Sequence, residues 1–223
     1  FVDFHGWYLP VQFEGIIAEH LHVRSHVGIF DCSHMGEFII HGKDQIANFS
    51  YLTCSNFLHL PVGRCRYTVL LNNDTFIIDD CVGMKLDAET LFVVTNAGPL
   101  EQVSSLLCDS DVRADDISNQ VVKIDVQGPM SLDVLLQSGF SPQTAELKYW
   151  TGGKYEWKGK EIIITRAGYT GELGYELYIP PDLGKEIWNM LISNKNVKPC
   201  GLGARDTLRT EMGYPLSGQD LLP

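Results

Sequence analysis

The sequence predicts an α+β fold with antiparallel or mixed sheets. Apolar-patterned segments typical of strands and helices alternate irregularly, which disfavours the regular alternation of a doubly wound parallel sheet. The runs Arg66–Leu71 and Thr75–Ile78 flank the turn residues Asn72–Asp74, a pattern typical of a β-hairpin. The 223 residues, 44% of them hydrophobic, suffice for one large or two small domains.

Apolar residues at three- and four-residue spacing predict six helices. In chain order these are Phe13–Arg24, Gln45–Leu52, Leu100–Leu107, Met130–Gln137, Leu183–Ser193 and Ala204–Met212. Gly28 follows the first of them and is expected to mark its end. Apolar runs of strand length predict seven strands. They are Phe38–Ile40, Arg66–Leu71, Thr75–Ile78, Leu91–Thr95, Val121–Val126, Lys160–Thr165 and Tyr175–Ile179.

The charge balance disfavours several classes of partner. The chain has 28 acidic against 17 basic residues and a net charge of −11. Without a basic run it is not expected to bind nucleic acid, and its acidity disfavours an anionic membrane surface. No apolar stretch approaches the roughly 18–20 residues that cross a bilayer. A small-molecule ligand, or a partner with a basic patch, fits this composition better.

The cysteines and histidines do not predict a metal site. Six cysteines occur without any C-x-x-C pair, which is typical of reduced thiols in an intracellular protein. Cys32 and Cys81 are expected to be small buried residues and not nucleophiles. His22 and His26 share a helical face, but only Glu19 lies near enough in sequence to add a ligand.

The segment Arg166–Glu176 is the most informative stretch of the chain. It reads R-A-G-Y-T-G-E-L-G-Y-E and follows the apolar run Ile162–Ile164. Glycines allow sharp turns or the close approach of a ligand, while tyrosines and glutamates offer flat faces and paired acceptors. The mixture suits a pocket for a planar, polar ligand. A glycine-rich hairpin with incidental tyrosines is the alternative.

Further motifs accompany this segment over essentially the whole chain. They are F-V-D-F-H-G-W-Y-L-P-V-Q-F at residues 1–13, F-D-C-S-H-M-G at 30–36, F-I-I-D-D at 76–80, V-T-N-A-G at 94–98, V-Q-G-P at 126–129 and G-L-G-A-R-D-T-L-R-T-E-M-G at 201–213. In this order and at these distances, they resemble the T-protein (aminomethyltransferase) family of the glycine cleavage system and its wider tetrahydrofolate-binding relatives. No single motif carries the resemblance.

The resemblance implies a particular domain organisation. Residues 1–34 and 122–223 would form a discontinuous folate-binding domain with the N-terminal T-protein fold. Residues 35–121 would form an inserted α+β domain. The chain starts within a motif and without a methionine. It is therefore expected to be part of a longer protein whose C-terminal barrel domain is missing here.

The resemblance also implies roles for two carboxylates. Asp80 matches the catalytic carboxylate near N5 and N10 of the reduced folate, where it orients the folate, stabilises charge and helps to move a proton. If both lie in a strand, one of Asp79 and Asp80 should face a pocket or the core and the other should face away. The alternative is a pair of turn aspartates after a strand. Glu176 matches the glutamate that accepts two hydrogen bonds from the pterin edge. Its alternative is a surface glutamate of a strand.

The remaining folate-binding residues follow from the resemblance in the same way. They are Tyr67, Asn96, Tyr169, Arg205, Tyr214 and Met35. Arg205 suits a carboxylate, either of the folate tail or of the pocket itself. A surface ion network with Asp206, Arg209 and Glu211 is its alternative. Tyr67, Tyr169 and Asn96 could equally be ordinary core or turn residues.

The function implied by the resemblance is tetrahydrofolate-dependent aminomethyl transfer. Tetrahydrofolate would be the co-substrate and the lipoylated H-protein the partner, and no metal would be needed. The compartment would be the cytoplasm in a bacterium or archaeon and the mitochondrial matrix in a eukaryote. Three departures from the family pattern, at Met84, Gln102–Val103 and Leu173, leave alternatives open. These are a folate-dependent demethylase, the folate domain of a dimethylglycine or sarcosine dehydrogenase, and a non-catalytic folate-binding paralogue.

Overall fold

The computed structural model describes residues 1–221, which divide into two compact units. The first unit contains residues 1–33, 120–149 and 154–214. The second contains residues 34–119, 150–153 and the segment that starts at Pro215. The domain boundaries implied by the resemblance stay a prediction.

Six helices and thirteen strands make up the described chain. The helices are α1 (Ile16–Ser25), α2 (Lys43–Tyr51), α3 (Leu100–Asp109), α4 (Ser131–Gln137), α5 (Pro181–Ile192) and α6 (Leu202–Glu211). The strands are β1 (Val2–Phe4), β2 (Trp7–Leu9), β3 (Val27–Asp31), β4 (Gly36–His41), β5 (Cys65–Leu71), β6 (Ile77–Lys85), β7 (Thr90–Thr95), β8 (Ala114–Asp116), β9 (Val122–Gln127), β10 (Thr151–Trp157), β11 (Lys160–Arg166), β12 (Gly174–Ile179) and β13 (Val197–Pro199). Short 3₁₀ turns occur at Ser118–Gln120 and Pro142–Glu146. Across residues 1–221, no helix is both long enough and apolar enough to pass through a bilayer.

A six-stranded mixed sheet forms the centre of the first unit. Its strand order is β10-β11-β12-β9-β3-β13, and β13 runs parallel to β3 while β9 pairs antiparallel with β3 and β12. The first residues of β10, 151–153, group with the second unit. Inward-facing residues of β9, β11 and β12 and the buried face of α5 share one core, which includes Ile124, Ile164, Leu177 and Ile187.

A five-stranded antiparallel sheet forms the second unit. Its order is β5-β6-β7-β4-β8, so strands that are distant in sequence, such as β4 and β7, lie side by side. This unit has its own hydrophobic core, which includes Phe38, Phe49, Phe57, Leu70 and Val93. The two sheets together confirm the predicted α+β class with antiparallel and mixed pairing.

All six predicted helices and all seven predicted strands are present, with shifted ends. The Thr75–Ile78 prediction is too short, because the strand starts at Ile77 and continues to Lys85. Gly28 lies inside β3 and does not end a helix, since α1 already ends at Ser25. A Cβ at Gly28 would come within 2.4 Å of Val23, so close packing requires this glycine. The strands β1, β2, β3, β8, β10 and β13 were not predicted.

Glu19 connects the start of α1 to the start of α6. Its side chain is fully buried, and its Oε1 accepts backbone N–H groups of Phe13 (2.6 Å), Glu14 (2.8 Å) and Gly15 (3.1 Å). Its Oε2 accepts the N–H of Gly201 at 2.8 Å. One carboxylate therefore satisfies four donors that have no helical partner at these two helix starts.

In the second unit, Lys85 is a buried charged residue whose side chain, unlike that of Glu19, is not satisfied by hydrogen bonds within the described residues. It is 3% exposed, and its Nζ has no hydrogen-bond partner among the described residues. Burial lowers the pKa of this ammonium below its ordinary value, since removal from water disfavours the charged form. The amine therefore opposes the stability of the sheet in which it lies.

We expect Glu19→Ala to lower the free energy of unfolding by about 3 kcal/mol, because it leaves buried N–H groups without an acceptor. Chemical denaturation measures this change. Glu14→Ala is the matched control, since Glu14 forms only a surface pair with Lys198 (2.5 Å). Equal stability of the two variants would contradict the role assigned to Glu19.

We expect Lys85→Met to raise the free energy of unfolding at pH 7 by about 1–2 kcal/mol, because it removes a buried donor without a partner. The pKa of Lys85 is lower in the folded state, so the unfolded state binds more protons and wild-type stability rises with pH. The advantage of the variant should therefore shrink as the pH approaches about 10.4, the ordinary lysine value. Lys43→Met, which changes an exposed lysine, should show neither effect. A destabilised Lys85→Met variant would count against this account.

Candidate functional site

The glycine-rich segment folds around the side chain of Gln127. This glutamine is fully buried at the end of β9. Its Nε2 donates to the carbonyl oxygens of Ala167 (3.2 Å) and Tyr175 (3.4 Å), and its Oε1 accepts the hydroxyl of Thr170 at 2.9 Å. The amide thus joins the two ends of the segment.

Two glycines of the segment are required by this amide. A Cβ at Gly168 or Gly174 would lie only 2.0 or 2.1 Å from Oε1 of Gln127. The sequence interpretation assigned these glycines to turns or to the close approach of a ligand. The backbone at these glycines is closely approached, but by the side chain of Gln127 and not by a ligand.

Four charged side chains meet beside this segment, in the first unit. Lys123 Nζ lies 2.8 Å from Asp125 Oδ1 and 3.0 Å from Glu176 Oε1. Arg205 Nη1 lies 2.8 Å from Asp125 Oδ2. The side chains of Lys123 and Asp125 are 1% and 0% exposed, and those of Glu176 and Arg205 are 13% and 16% exposed. Two positive and two negative charges therefore balance within a site that is largely shielded from water. We call these four side chains the charge cluster.

Strand geometry produces the charge cluster. Lys123 and Asp125 are two residues apart in β9, so both project from one face, while Ile124 and Val126 belong to the core on the other face. Glu176 lies directly opposite Asp125 in the pairing of β12 with β9. Arg205 reaches the same carboxylate from the first turns of α6. Arg205 therefore pairs with a carboxylate of the protein and not with the surface set of Asp206, Arg209 and Glu211.

Glu176 already has three hydrogen-bond donors around its carboxylate. Its Oε2 accepts the hydroxyls of Thr165 (2.7 Å) and Tyr178 (3.1 Å), and its Oε1 accepts the ammonium of Lys123. A carboxylate offers about four acceptor positions, and donors of the described residues use three of them, two on Oε2 and one on Oε1. A ligand edge with two N–H groups would have to share or displace one of the present donors. The predicted double hydrogen bond stays a prediction.

The buried charges in the cluster shift one another's protonation. Burial alone would raise the pKa of Asp125, but Lys123 and Arg205 outweigh it and lower this pKa to about 2. Burial alone would lower the pKa of Lys123, but Asp125 and Glu176 raise it above its ordinary value. The adjacent thiol of Cys32 behaves differently, since burial raises its pKa to about 12. Cys32 is therefore a neutral thiol, as expected for a buried filler.

Aromatic rings extend the cluster on the side of Arg205. The guanidinium carbon lies 5.0 Å from the centre of the Tyr169 ring, and the rings of Tyr169 and Tyr214 stack with centres 6.0 Å apart. Tyr214 also hydrogen-bonds with Tyr149 through their side chains. Three of the predicted folate-binding residues therefore form one contiguous row with a flat, partly exposed aromatic surface.

A second polar group occupies the sheet of the second unit. Asp79 and Asp80 accept hydrogen bonds from Asn96, whose Nδ2 lies 2.8 Å from Asp79 Oδ1 and 2.5 Å from Asp80 Oδ1. The backbone N–H of Asn96 donates to Asp79 Oδ2 at 2.9 Å, and the hydroxyl of Tyr67 donates to Asp80 Oδ2 at 2.6 Å. Asp79 also hydrogen-bonds with Ser217. The structure thus brings together three predicted residues: Asp80, Tyr67 and Asn96.

The aspartates differ from their expected setting. They lie inside β6 and not in a turn after a strand, and both are buried. Asn96, one residue beyond the end of β7, reaches both carboxylates. Burial raises the pKa of each aspartate, while the hydrogen bonds from Asn96 and Tyr67 oppose that rise. Asp80 is therefore a carboxylate with a raised proton affinity, which suits proton transfer.

The other residues singled out from the sequence have simpler surroundings. Met35 is half-buried and directly precedes β4, so its folate contact stays a prediction. His34 and Met84 are buried. His22 donates to the carbonyl of Asn196 at 3.0 Å and stacks on the ring of His26. Within residues 1–221, no group of three or more His, Cys, Asp and Glu side chains is placed to hold a metal ion.

Several residues that build these groups were not identified from the sequence. They are Lys123, Asp125, Gln127, Thr165 and Tyr178. For the first three, a signal existed. The strand V-K-I-D-V-Q alternates apolar and polar residues, which normally predicts a solvent-facing polar side. Here that polar side is buried, and Lys123, Asp125 and Gln127 on it each form hydrogen bonds with other residues.

The relatives found by comparison with known proteins carry the same name, aminomethyltransferase. Two enzymes named aminomethyltransferase, from Staphylococcus carnosus and Prosthecochloris aestuarii, are 40% and 37% identical to this chain over 99% of its length. The chain spans 62% and 63% of those relatives. The crystal structure of the glycine cleavage system aminomethyltransferase T from Bartonella henselae superposes with a TM-score of 0.92 at 32% identity, covering 99% of this chain and 60% of that one.

A more distant structure shares the fold alone. A chain of the heterotetrameric sarcosine oxidase from a Corynebacterium species aligns with a TM-score of 0.54 at 12% identity, covering 87% of this chain and 92% of that one. The model of the GCVT N-terminal domain family, by contrast, matches residues 1–223, the whole sequence. With the fold and the relatives in agreement, this chain belongs to the GCVT N-terminal domain family.

Proposed function

We propose that this chain carries the folate-binding part of an aminomethyltransferase of the glycine cleavage system. Its substrates would be tetrahydrofolate and the aminomethyl group carried on the lipoyl arm of the H-protein. The observation that carries the proposal is the Glu176 carboxylate, held by three donors of the described residues, in a chain whose relatives are named aminomethyltransferase. The chain spans about three fifths of those relatives, so the activity belongs to the proposal.

The reaction sets what the residues must do. The folate nitrogens N5 and N10 each form a bond to the methylene carbon, whose bonds to sulfur and to the amino nitrogen break. The two protons that leave N5 and N10 appear on the released ammonia and on the lipoyl thiol. No electrons are gained or lost overall, so the protein has to orient the folate, stabilise positive charge on the transferred carbon and move protons.

In the first unit, we assign pterin binding to Glu176. An ionised carboxylate accepts hydrogen bonds from the amino and N3–H groups of a pterin, and the surrounding donors keep its oxygens in place. Tyr169 and Tyr214 present stacked faces suited to a planar ring. Arg205 already pairs with Asp125, which favours a role in the pocket wall over direct capture of the folate tail.

In the second unit, we assign charge stabilisation and proton transfer to Asp80. Its pKa is raised by burial, and Tyr67 and Asn96 hold its two oxygens in one orientation. Orientation and electrostatic stabilisation are its first role, and proton transfer its second. Met35 completes the proposed folate-binding set.

The competing functions receive less support. The sarcosine oxidase likeness concerns the fold alone. A demethylase, or a paralogue that binds folate without catalysis, would retain the Glu176 environment, so both are separated by an activity assay and not by binding. The partner, the co-substrate and the location in cytoplasm or mitochondrial matrix are parts of the proposal.

We expect the protein to bind 5-formyltetrahydrofolate saturably and Glu176→Ala to lose that binding by about 100-fold or more, because a charged acceptor is removed. Titration calorimetry measures both. Glu161→Ala is the matched control, since Glu161 is an exposed glutamate of the same sheet. The titration is made with this chain alone and with any flanking sequence of the intact protein. Absence of binding in both forms would refute the folate proposal.

We expect Asp80→Asn to reduce the folate-dependent release of ammonia from aminomethylated H-protein by about 100-fold. The amide has the same shape but cannot take up a proton or carry negative charge. Asp74→Asn, in the exposed hairpin turn, is the matched control and should retain full activity. Activity of Asp80→Asn within a few-fold of the wild type would remove Asp80 from the mechanism.

Tyr67→Phe should shift the acid side of the pH–rate profile to higher pH. Its hydrogen bond lowers the pKa of Asp80, so its loss lets burial raise that pKa further. Activity that needs ionised Asp80 would then fall at a higher pH than in the wild type. An unchanged acid limb in Tyr67→Phe, measured over pH 5–8, would mean that another group controls it.

A further inference from the structure

We propose that Lys123 and Asp125 are positioning residues for folate recognition: together they hold the Glu176 carboxylate in place, and they join it to Arg205 through a chain of ion pairs. This inference rests on the proposed folate-binding role of Glu176. It assigns a function to two buried charges that the reaction itself does not require. Neither side chain is accessible enough to meet a ligand directly, since they are 1% and 0% exposed.

The first argument is the arrangement of like charges. Asp125 and Glu176 are directly opposite each other in adjacent antiparallel strands. Carboxylates in such positions repel each other, and in a buried site one of them would take up a proton. Lys123 prevents this, because its Nζ lies 2.8 Å from one carboxylate and 3.0 Å from the other. The lysine therefore offsets the repulsion between two carboxylates that strand pairing places opposite each other.

The second argument is the way in which the contacts are shared. Asp125 uses Oδ1 for Lys123 and Oδ2 for Arg205, so its two oxygens bridge the two cations. Lys123 in turn bridges Asp125 and Glu176. A chain of three ion pairs thus runs from Glu176 to Arg205, and movement at one end disturbs the other.

The third argument is the position left open on Glu176. The donors Thr165 and Tyr178 occupy Oε2, and Lys123 occupies one position of Oε1. With respect to the described residues, the free acceptor position is next to the ammonium. Lys123 therefore limits where on Oε1 a ligand N–H can bind.

The neighbouring titratable groups do not replace Lys123. Arg205 contacts Asp125 and not Glu176 in hydrogen-bond geometry, and Tyr178 donates a neutral hydroxyl. Cys32, whose N–H donates to the carbonyl of Lys123, is a neutral thiol at ordinary pH. Removing the ammonium leaves the buried carboxylate of Asp125, the half-buried carboxylate of Glu176 and one guanidinium.

The test is the pH dependence of 5-formyltetrahydrofolate binding between pH 6 and 9, followed by calorimetry. The wild type should bind with nearly constant affinity. Lys123→Met should bind about 10- to 100-fold more weakly at pH 7, a loss typical of a misplaced recognition group, and should recover as the pH rises. The direction follows because Lys123 lowers the pKa of Asp125, so without the cation the two facing carboxylates hold a proton between them at lower pH and lose it as the pH rises.

A double variant separates positioning from simple destabilisation. Lys123→Met combined with Asp125→Asn removes the cation and the opposing negative charge together. Glu176 then has no like charge opposite it, so binding should again be nearly independent of pH. A purely structural role predicts the reverse, with the double variant no better than the single one. Leu191→Ala, which cuts a fully buried side chain in α5, is the stability control and should lower the unfolding midpoint without changing the pH profile.

The outcomes distinguish this inference from the proposed function. If the wild type does not bind the folate, the proposed function fails. If the wild type binds and Lys123→Met binds equally well at every pH, the function stands and the positioning role is wrong. If Lys123→Met does not fold, Lys123→Gln replaces it, since glutamine can donate to Glu176 without a charge. The same alkaline recovery is then required, and its absence rejects the inference.

Discussion

The first unit depends on one lysine ammonium that is buried between two carboxylates. The pairing of β9 with β12 places Asp125 opposite Glu176, and a cation between them offsets the repulsion of the two carboxylates. Lys123 supplies that cation, and Arg205 balances the remaining charge. A strand that would otherwise need an exposed polar side can therefore stay in the centre of its sheet.

The second unit accommodates two carboxylates by a different physical means. Asp79 and Asp80 are consecutive and buried, and their partners are neutral donors of Asn96 and Tyr67. Without a cation, burial dominates and raises both pKa values, whereas cations lower the pKa of Asp125. The contrast matches the proposed roles. The ion pair with Lys123 holds Glu176 in place for its proposed role in ligand binding, and a raised pKa suits the proposed proton transfer by Asp80.

The glycines of the segment 166–176 are needed for packing against Gln127, which the sequence motif alone does not indicate. Gly168 and Gly174 make room for the Gln127 amide, which holds the segment against the end of β9. That arrangement sets where β12 begins and so sets the register that aligns Glu176 with Asp125. The glycines thus contribute to the candidate site indirectly, through the alignment of two strands.

The sequence by itself determined the six helices, the longer strands, the α+β class and the family, because these depend on local periodicity and on motif spacing. It also indicated Asp80, Tyr67 and Asn96, which the second unit brings together. Only the tertiary structure decided that the polar side of β9 is buried, since alternation is the same whether that side faces water or a partner strand. It also decided the short strands β1, β8 and β13, whose three residues carry too little periodicity and form through long-range pairing or a tight hairpin. The charge cluster belongs to this second class, because its ion pairs join residues up to 80 positions apart.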